Sequence, residues 1–519
     1  MQAFFKGIFS SSRKLSLLLI FLFLISVLWR IPGYYTGPYP ASVPYTQIMQ
    51  TANIWSDHGP SDFNFGAVQS YPKPEDAFVH HYDRFLDHRG LNYYVSYPPF
   101  VFWVGYTLCQ FTGPAHLHEG LLVFNLLLHL LSIWGMYTFF KDHSPKMAFW
   151  LASLWLVLPV TLDIFYRVFF SEALTTALFA WLPWFLKKGN QSILPKKWGL
   201  FWMLFSFGLA YNDWLGGAVA ASAGLALMVM HPKRWLPIIL GWLGVIAALG
   251  LFIWQYSELA SFDALLDALL FRYTLREHVQ AVTLPWHEAG YSALWYAFGW
   301  GLTLIILCLF LLGKTLTNLK KYNTVLVWSM AIGVPLMLNF YFFFTFSVHH
   351  AYNFARWVPW IIVGLGWGCS QIAFLKRGLP WLVCLLAIGN LPIHFSRLEA
   401  MAWDKAMINA FPDFQKQVLP THSIYIQIHG FKGDLPGGYG FVLNRSMDEV
   451  FRPEEIPVKA YLDGQPQWQF LDVAPGKPVV HFTNKDFPEG WLNRPARCLG
   501  EKAKSADLHS FQAMSGQGN

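Results

Sequence analysis

Three short stretches of this chain gather the residue types that do proton transfer and phosphate binding. The first, HHYDRFLDHRG, places His80, His81, Asp83, Asp87 and His88 close together, and the aromatic run Asn92-Tyr93-Tyr94-Val95-Ser96-Tyr97-Pro98-Pro99-Phe100 follows at once. A carboxylate here could take a proton from a hydroxyl or amine, and a carboxylate beside a histidine could hold a divalent metal against a phosphate. Singly, each is an ordinary charge on a solvated loop; together, and with Asp57, Asp62, Glu75 and Asp76 upstream, they point to a reactive surface. The second stretch is FYRVFFSEALTTALF, where Tyr166 and Arg167 precede Glu172, an acid that opens an apolar run. Such an acid needs a partner or a polar cavity, and Arg167 is the nearest cation in sequence. The third, SVHHAYNFARW, sets His349, His350, Tyr352, Asn353 and Arg356 together. Arginine's planar fork suits bidentate contact with phosphate, and the same residue beside aromatics also suits anchoring at a headgroup layer.

The elements that hold these stretches are membrane helices. Of 519 residues, 55% are hydrophobic and only 13% charged, with a mean hydropathy of +0.34, whereas soluble chains are about a quarter charged. Leu15 to Trp29 follows Lys6, Arg13 and Lys14 without a small-residue cleavage site, so it reads as an uncleaved anchor with a cytoplasmic amino terminus. Four of the five cysteines, Cys109, Cys308, Cys369 and Cys384, lie in apolar segments and Cys498 stands alone, which argues against a disulfide framework or a thiolate zinc site. The net charge of +7 is dispersed over short loops and forms no stripe for nucleic acid.

Further apolar segments recur near 121–140, 147–163, 168–186, 198–212, 217–230, 235–256, 292–313, 324–345, 356–375 and 379–395. The connections bearing Lys141 and Lys146, Lys187 to Lys197, Lys233 and Arg234, Lys314 to Lys321, and Lys376 with Arg377 are compact and basic, as cytoplasmic loops are. With the anchor, this threading makes eleven crossings and leaves everything after about 396 outside. Residues 97–112 then cannot cross, and are expected to be re-entrant or interfacial. The two segments that meet around Tyr211-Asn212-Asp213-Trp214 are short for crossings. The expected fold is an all-α polytopic membrane protein in residues 1–395, with a large first outer loop over 32–120. A small α+β extracytoplasmic domain is expected in 396–519. There, 397–418 reads as helix, and SIYIQI, GFVLN, KAYLD and PVVHFT read as strands. The loop at 257–290 interleaves charges with apolar residues, as a helix lying on the membrane or a gate over the site would.

The ensemble resembles the GT-C class of polyprenyl-phosphate-sugar glycosyltransferases, of the protein mannosyltransferase and aminoarabinose transferase type. The resemblance covers roughly 15–400 and rests on the anchor, the large first loop with TQIMQTANIWSDHG, the SYPPF motif opening the next apolar segment, and Glu172 after FYRVFFS. It implies a lipid-phosphate sugar donor and transfer at the outer face. One departure concerns the catalytic acid, which the family carries just after its first anchor. This chain reads Tyr39-Pro40-Ala41-Ser42-Val43-Pro44-Tyr45 there.

The base is therefore expected in Asp83 or Asp87, with Asp57 next. Glu172 would orient a metal or the acceptor, and His81, Tyr97, Arg167, His350 and Arg356 are the candidate substrate contacts. The expected partners are a polyprenyl-phosphate-linked sugar, membrane lipid and a glycan, lipid or protein acceptor, with no nucleic acid. A divalent metal ion is the one cofactor expected, in a bacterial inner-membrane protein. The rival reading is a non-catalytic lipid-linked glycan binder or a transporter. A transporter should carry ionisable groups at mid-helix, where few polar candidates stand beyond Asn125 and His129.

Overall fold

The computed structural model describes residues 11–30, 43–69, 85–166, 170–189, 197–230, 233, 235–278, 286–308, 323–343, 347 and 351–409, and four strand segments between 423 and 482. The described helices are, in order, α1 (Ser12–Arg30), α2 (Val43–His58), α3 (Phe100–Thr112), α4 (Leu117–Phe140), α5 (Pro145–Val157), α6 (Pro159–Tyr166), α7 (Ser171–Gly189), α8 (Trp198–Asn212), α9 (Trp214–Met230) and α10 (Trp235–Leu259). They continue with α11 (Phe262–His278), α12 (Trp286–Phe298), α13 (Asn323–Phe342), α14 (Val358–Gln371) and α15 (Ala373–Asn409).

Both faces of α1 are apolar. Leu15, Leu19 and Phe23 are buried, while Leu17, Phe21, Leu24 and Leu28 face outward on the other side. In water that outward stripe would be unfavourable; facing hydrocarbon, it is what an anchor needs. The long α15 repeats the pattern with Trp381, Leu385, Ile388 and Phe395 exposed. Among the described residues, Pro114–Phe140, Ile238–Leu259, Gly290–Cys308 and Ala373–Phe395 are long and apolar enough to cross a membrane, and α5 with α6 makes a fifth if read as one bent span. The protein is thus an integral membrane helical bundle. The helices flanking Asn212 and Asp213 have 15 and 17 residues, about 22 to 26 Å at 1.5 Å per residue, which is why this pair reads ambiguously as two crossings.

The bend of 68° between α5 and α6 falls at Pro159, whose ring nitrogen cannot donate to the Trp155 carbonyl four residues back. The Thr161 hydroxyl bonds that carbonyl instead. At the other end of α5, Ser144 caps the helix by accepting from the Met147 N–H at 3.3 Å.

Residues 97–112, expected not to cross, contain α3, which has 13 residues and reaches only about 20 Å. It lies against α2 so closely that a Cβ on Gly105 would collide with Ile48. Trp55 and Trp103 meet there with ring centroids 5.1 Å apart.

Two of the basic connections meet at one end of the bundle. Lys187 Nζ donates to Asp142 Oδ2 at 2.9 Å and holds that carboxyl below its ordinary range. Lys187 and Glu172 stand at opposite ends of α7, roughly 22 Å apart, so Glu172 lies at the other end of the bundle.

Beyond α15, four strands form a sheet in the order β2-β1-β4-β3, with β1 Ser423–Ile426, β2 Met447–Glu449, β3 Trp468–Ala474 and β4 Lys477–Phe482. β1 runs parallel to β2 and β4, and β3 is antiparallel to β4. Strands β1 and β4 fall on SIYIQI and PVVHFT. The segments GFVLN and KAYLD lie outside the described residues, and neither β2 nor β3 falls on an expected strand.

Candidate functional site

Five segments expected on the outer face meet around two carboxylates and one guanidinium. Tyr97, from SYPPF, donates its hydroxyl to Glu172 Oε1 at 2.9 Å, and the Ser171 hydroxyl lies 3.2 Å from Oε2. Glu172 is buried in the first turn of α7, where the helix dipole favours an anion. Asn212, ending α8, donates from Nδ2 to the Ser171 carbonyl and the Thr175 hydroxyl, both at 2.7 Å. That fixes the α8 end against the α7 start. Trp214 donates its indole N–H to the Ser96 carbonyl at 2.7 Å, while Arg272 of α11 donates from Nε to the Ser96 hydroxyl at 2.6 Å and stands over the Tyr94 ring.

Asp213 connects this group to the third stretch. It is extended (φ −154°, ψ 136°) between α8 and α9, and Oδ1 caps α9 by accepting from the Leu215 N–H at 3.0 Å. The turn is so tight that a Cβ on Gly216 would meet the Leu209 carbonyl. Asp213 Oδ2 accepts from Arg356 Nη1 at 2.6 Å. Arg356 sits in the 3₁₀ segment Ala351–Trp357, and Nη2 donates to Asn353 Oδ1 at 3.1 Å. Both members of the ion pair are almost fully buried, at 3% exposure for Arg356 and 1% for Asp213. Glu172 lies within electrostatic reach of both.

Of the residues singled out in sequence, Tyr97, Glu172 and Arg356 are thus brought together. His81, Asp83, Arg167 and His350 lie outside the described residues. Asp87 is placed differently. Its Oδ1 accepts from the Arg89 and Leu91 N–H groups at 2.8 and 2.9 Å, and its Oδ2 from Arg89 Nε at 2.9 Å and the Tyr93 hydroxyl at 3.0 Å. A carboxylate offers about four lone-pair positions, so this one is saturated by its own turn. Burial, and the Asp87 charge beside it, push the Tyr93 hydroxyl's pKa up. Asp57 is exposed at the end of α2.

Sequence reasoning placed Asn353 in the third stretch and Asn212 and Asp213 in a short turn, but singled out none of the three as a site residue.

The candidate metal ligands His81 and Asp83 lie outside the described residues. Among the described residues no three histidine, cysteine or acid side chains converge to hold a divalent metal. The two buried acids already face Arg356, beside which a second cation would be repelled. Of the mid-helix candidates of the transporter reading, Asn125 donates to the Ile164 carbonyl at 3.0 Å, and the His129 ring stacks on Phe165 with centroids 4.9 Å apart.

No family model matches the chain, and no curated protein matches it either. Solved structures do. The archaeal oligosaccharyltransferase AglB from Archaeoglobus fulgidus, in complex with an inhibitory peptide and a dolichol-phosphate, aligns at TM-score 0.48 and 12% identity over 83% of this chain and 63% of its own. The Archaeoglobus fulgidus oligosaccharyltransferase in complex with zinc and sulfate gives 0.47 and 13% over 84% and 62%. ArnT from Cupriavidus metallidurans, bound to undecaprenyl phosphate, gives 0.48 and 14% over 85% and 86%. Both proteins are GT-C glycosyltransferases, the class that the sequence resembles. The chain spans less than two thirds of the archaeal protein's length. Likeness of this degree carries no argument about activity, which must come from the residues.

Proposed function

We propose that the protein is a membrane glycosyltransferase that moves a sugar from a polyprenyl-phosphate donor to an acceptor at the outer face. The observation that carries this reading is the buried cluster of Tyr97, Glu172, Asp213 and Arg356, in which five segments expected on the outer face meet. A purely structural ion pair needs no second buried acid, and burying one is costly unless something uses it.

In this reading Arg356 holds the donor phosphate, aided by His350 and Arg167, with His81 and Tyr97 lining the sugar and acceptor side. Glu172 orients the acceptor. Asp83 takes the acceptor's proton as the acceptor oxygen or nitrogen bonds to the anomeric carbon. The bond from that carbon to the phosphate oxygen breaks, and polyprenyl phosphate leaves with the electron pair. Asp87, saturated by Arg89, Leu91 and Tyr93, shapes the turn next to Asp83 and is the poorer base of the two.

The same proposal takes the chain as crossing a bacterial inner membrane eleven times from a cytoplasmic amino terminus, with residues 396–519 as an outer α+β domain. α15 runs on through residue 395 to Asn409, so that domain is joined by a continuous helix. The acceptor is a glycan, lipid or protein. The test is to incubate the purified protein with polyprenyl-phosphate-linked sugars and follow release of the lipid phosphate. Tight binding of these lipids without release would turn the reading to a non-catalytic glycan-lipid binder.

A further inference from the structure

Asn353 is 4% exposed, and its amide orientation is unambiguous. Arg356 Nη2 can only donate, so the Asn353 atom it meets at 3.1 Å is the oxygen, and the nitrogen points the other way. Among the described residues that nitrogen, Nδ2, is buried without a hydrogen-bond partner. A buried amide donor left unmet is destabilising, and this one stands on the same short 3₁₀ segment as a buried guanidinium.

We propose that Asn353 Nδ2 donates to an oxygen of the phosphate that Arg356 holds, the two side chains forming one donor pair for a lipid phosphate. Asn353 accepts from Arg356 with one amide atom and so aligns the guanidinium, leaving the other atom to face the anion. Asp213 accepts from Nη1 and keeps the guanidinium from turning when the phosphate arrives. The charge-assisted contact from Arg356 gives strength, and the neutral amide adds direction without adding charge. This inference rests on the transferase reading for the identity of the ligand, and on the geometry alone for the anion contact.

The test measures binding of undecaprenyl phosphate, undecaprenol and inorganic phosphate to the full-length protein in nanodiscs, with sugar release assayed in parallel. Asn353→Asp keeps an oxygen for Arg356 and replaces the amide donor by an anionic oxygen. It should weaken undecaprenyl phosphate at least about tenfold while leaving undecaprenol unchanged. Asn353→Thr, which keeps an acceptor but is too short to reach the phosphate, should fall in the same direction by less. If inorganic phosphate competes and Asn353→Asp abolishes that competition, the anion contact is supported without the lipid. Unchanged undecaprenyl phosphate affinity in either folded variant overturns the proposal. Wild-type protein that prefers undecaprenyl phosphate over undecaprenol yet releases no sugar would sink the transferase reading and leave this contact standing. No preference for the phosphate at all would overturn both.

Discussion

Arg356 and Asp213 are 143 residues apart in sequence and bonded at 2.6 Å, with neither side chain more than 4% exposed. Removing one partner leaves an unpaired buried charge, a loss of about 3 to 5 kcal/mol, whereas removing both charges at once is far better tolerated. Asp213→Ala should therefore lower the thermal unfolding midpoint in detergent more than the double replacement Asp213→Asn with Arg356→Gln. Equal losses would mean that the pair is solvated.

Arg356→Lys keeps the charge but has no planar fork with which to meet Asp213, Asn353 and a phosphate together. Donor affinity should fall by about tenfold or more, read from lipid-phosphate titrations. Unchanged affinity would assign Arg356 to anchoring the segment.

Glu172 and Tyr97 share one hydrogen bond, so their effects on turnover should not add. Glu172→Gln should reduce kcat by about a hundredfold or more, and Tyr97→Phe by about tenfold. In the double variant, Tyr97→Phe should cost little beyond Glu172→Gln alone. Full additivity would separate the two residues functionally.

Asp83→Asn should lose about 10² to 10⁴ in turnover while still binding donor, as loss of a general base does. Asp87→Asn should instead loosen its loop, because Arg89 then loses its charged partner, and limited proteolysis near residue 90 should rise. The opposite pattern would exchange their roles.

The Tyr93 hydroxyl carries a pH dependence of its own. Burial and Asp87 raise its pKa in the folded loop, so its contribution is complete below the ordinary tyrosine value of about 10 and is lost as pH climbs through the higher folded value. Protease resistance of the loop should be flat at neutral pH and decline only in strong alkali, and Tyr93→Phe should flatten that decline.

How much of this was legible beforehand depends on the kind of contact. Glu172 is readable from sequence because an acid opening an apolar helix must find a partner, although the partner found is Tyr97 where sequence proximity suggests Arg167. Arg356 is readable because a planar guanidinium among histidines and aromatics suits a phosphate. Asp213 is not, since in YNDWLGG it looks like an ordinary helix cap, which it also is. Its pairing with Arg356 depends on how α9 and the 351–357 segment come together. Asp87 shows the converse: a carboxylate among histidines looks reactive, but spacing cannot reveal that two N–H groups, an arginine and a tyrosine saturate it.

Tyr256 of α10 accepts from the Ala67 N–H at 3.1 Å and donates to the Tyr94 carbonyl at 2.9 Å, while Asn64 reaches the Gln255 carbonyl. The loop after α2 is thus tied by residues that leave the ribosome about 160 positions later. During synthesis the loop emerges well before α10 is inserted, and it must wait in an open form. Nascent chains arrested before α10 should leave the loop sensitive to protease, and chains arrested beyond α11 should protect it, so the Tyr97 side of the site matures late in biogenesis.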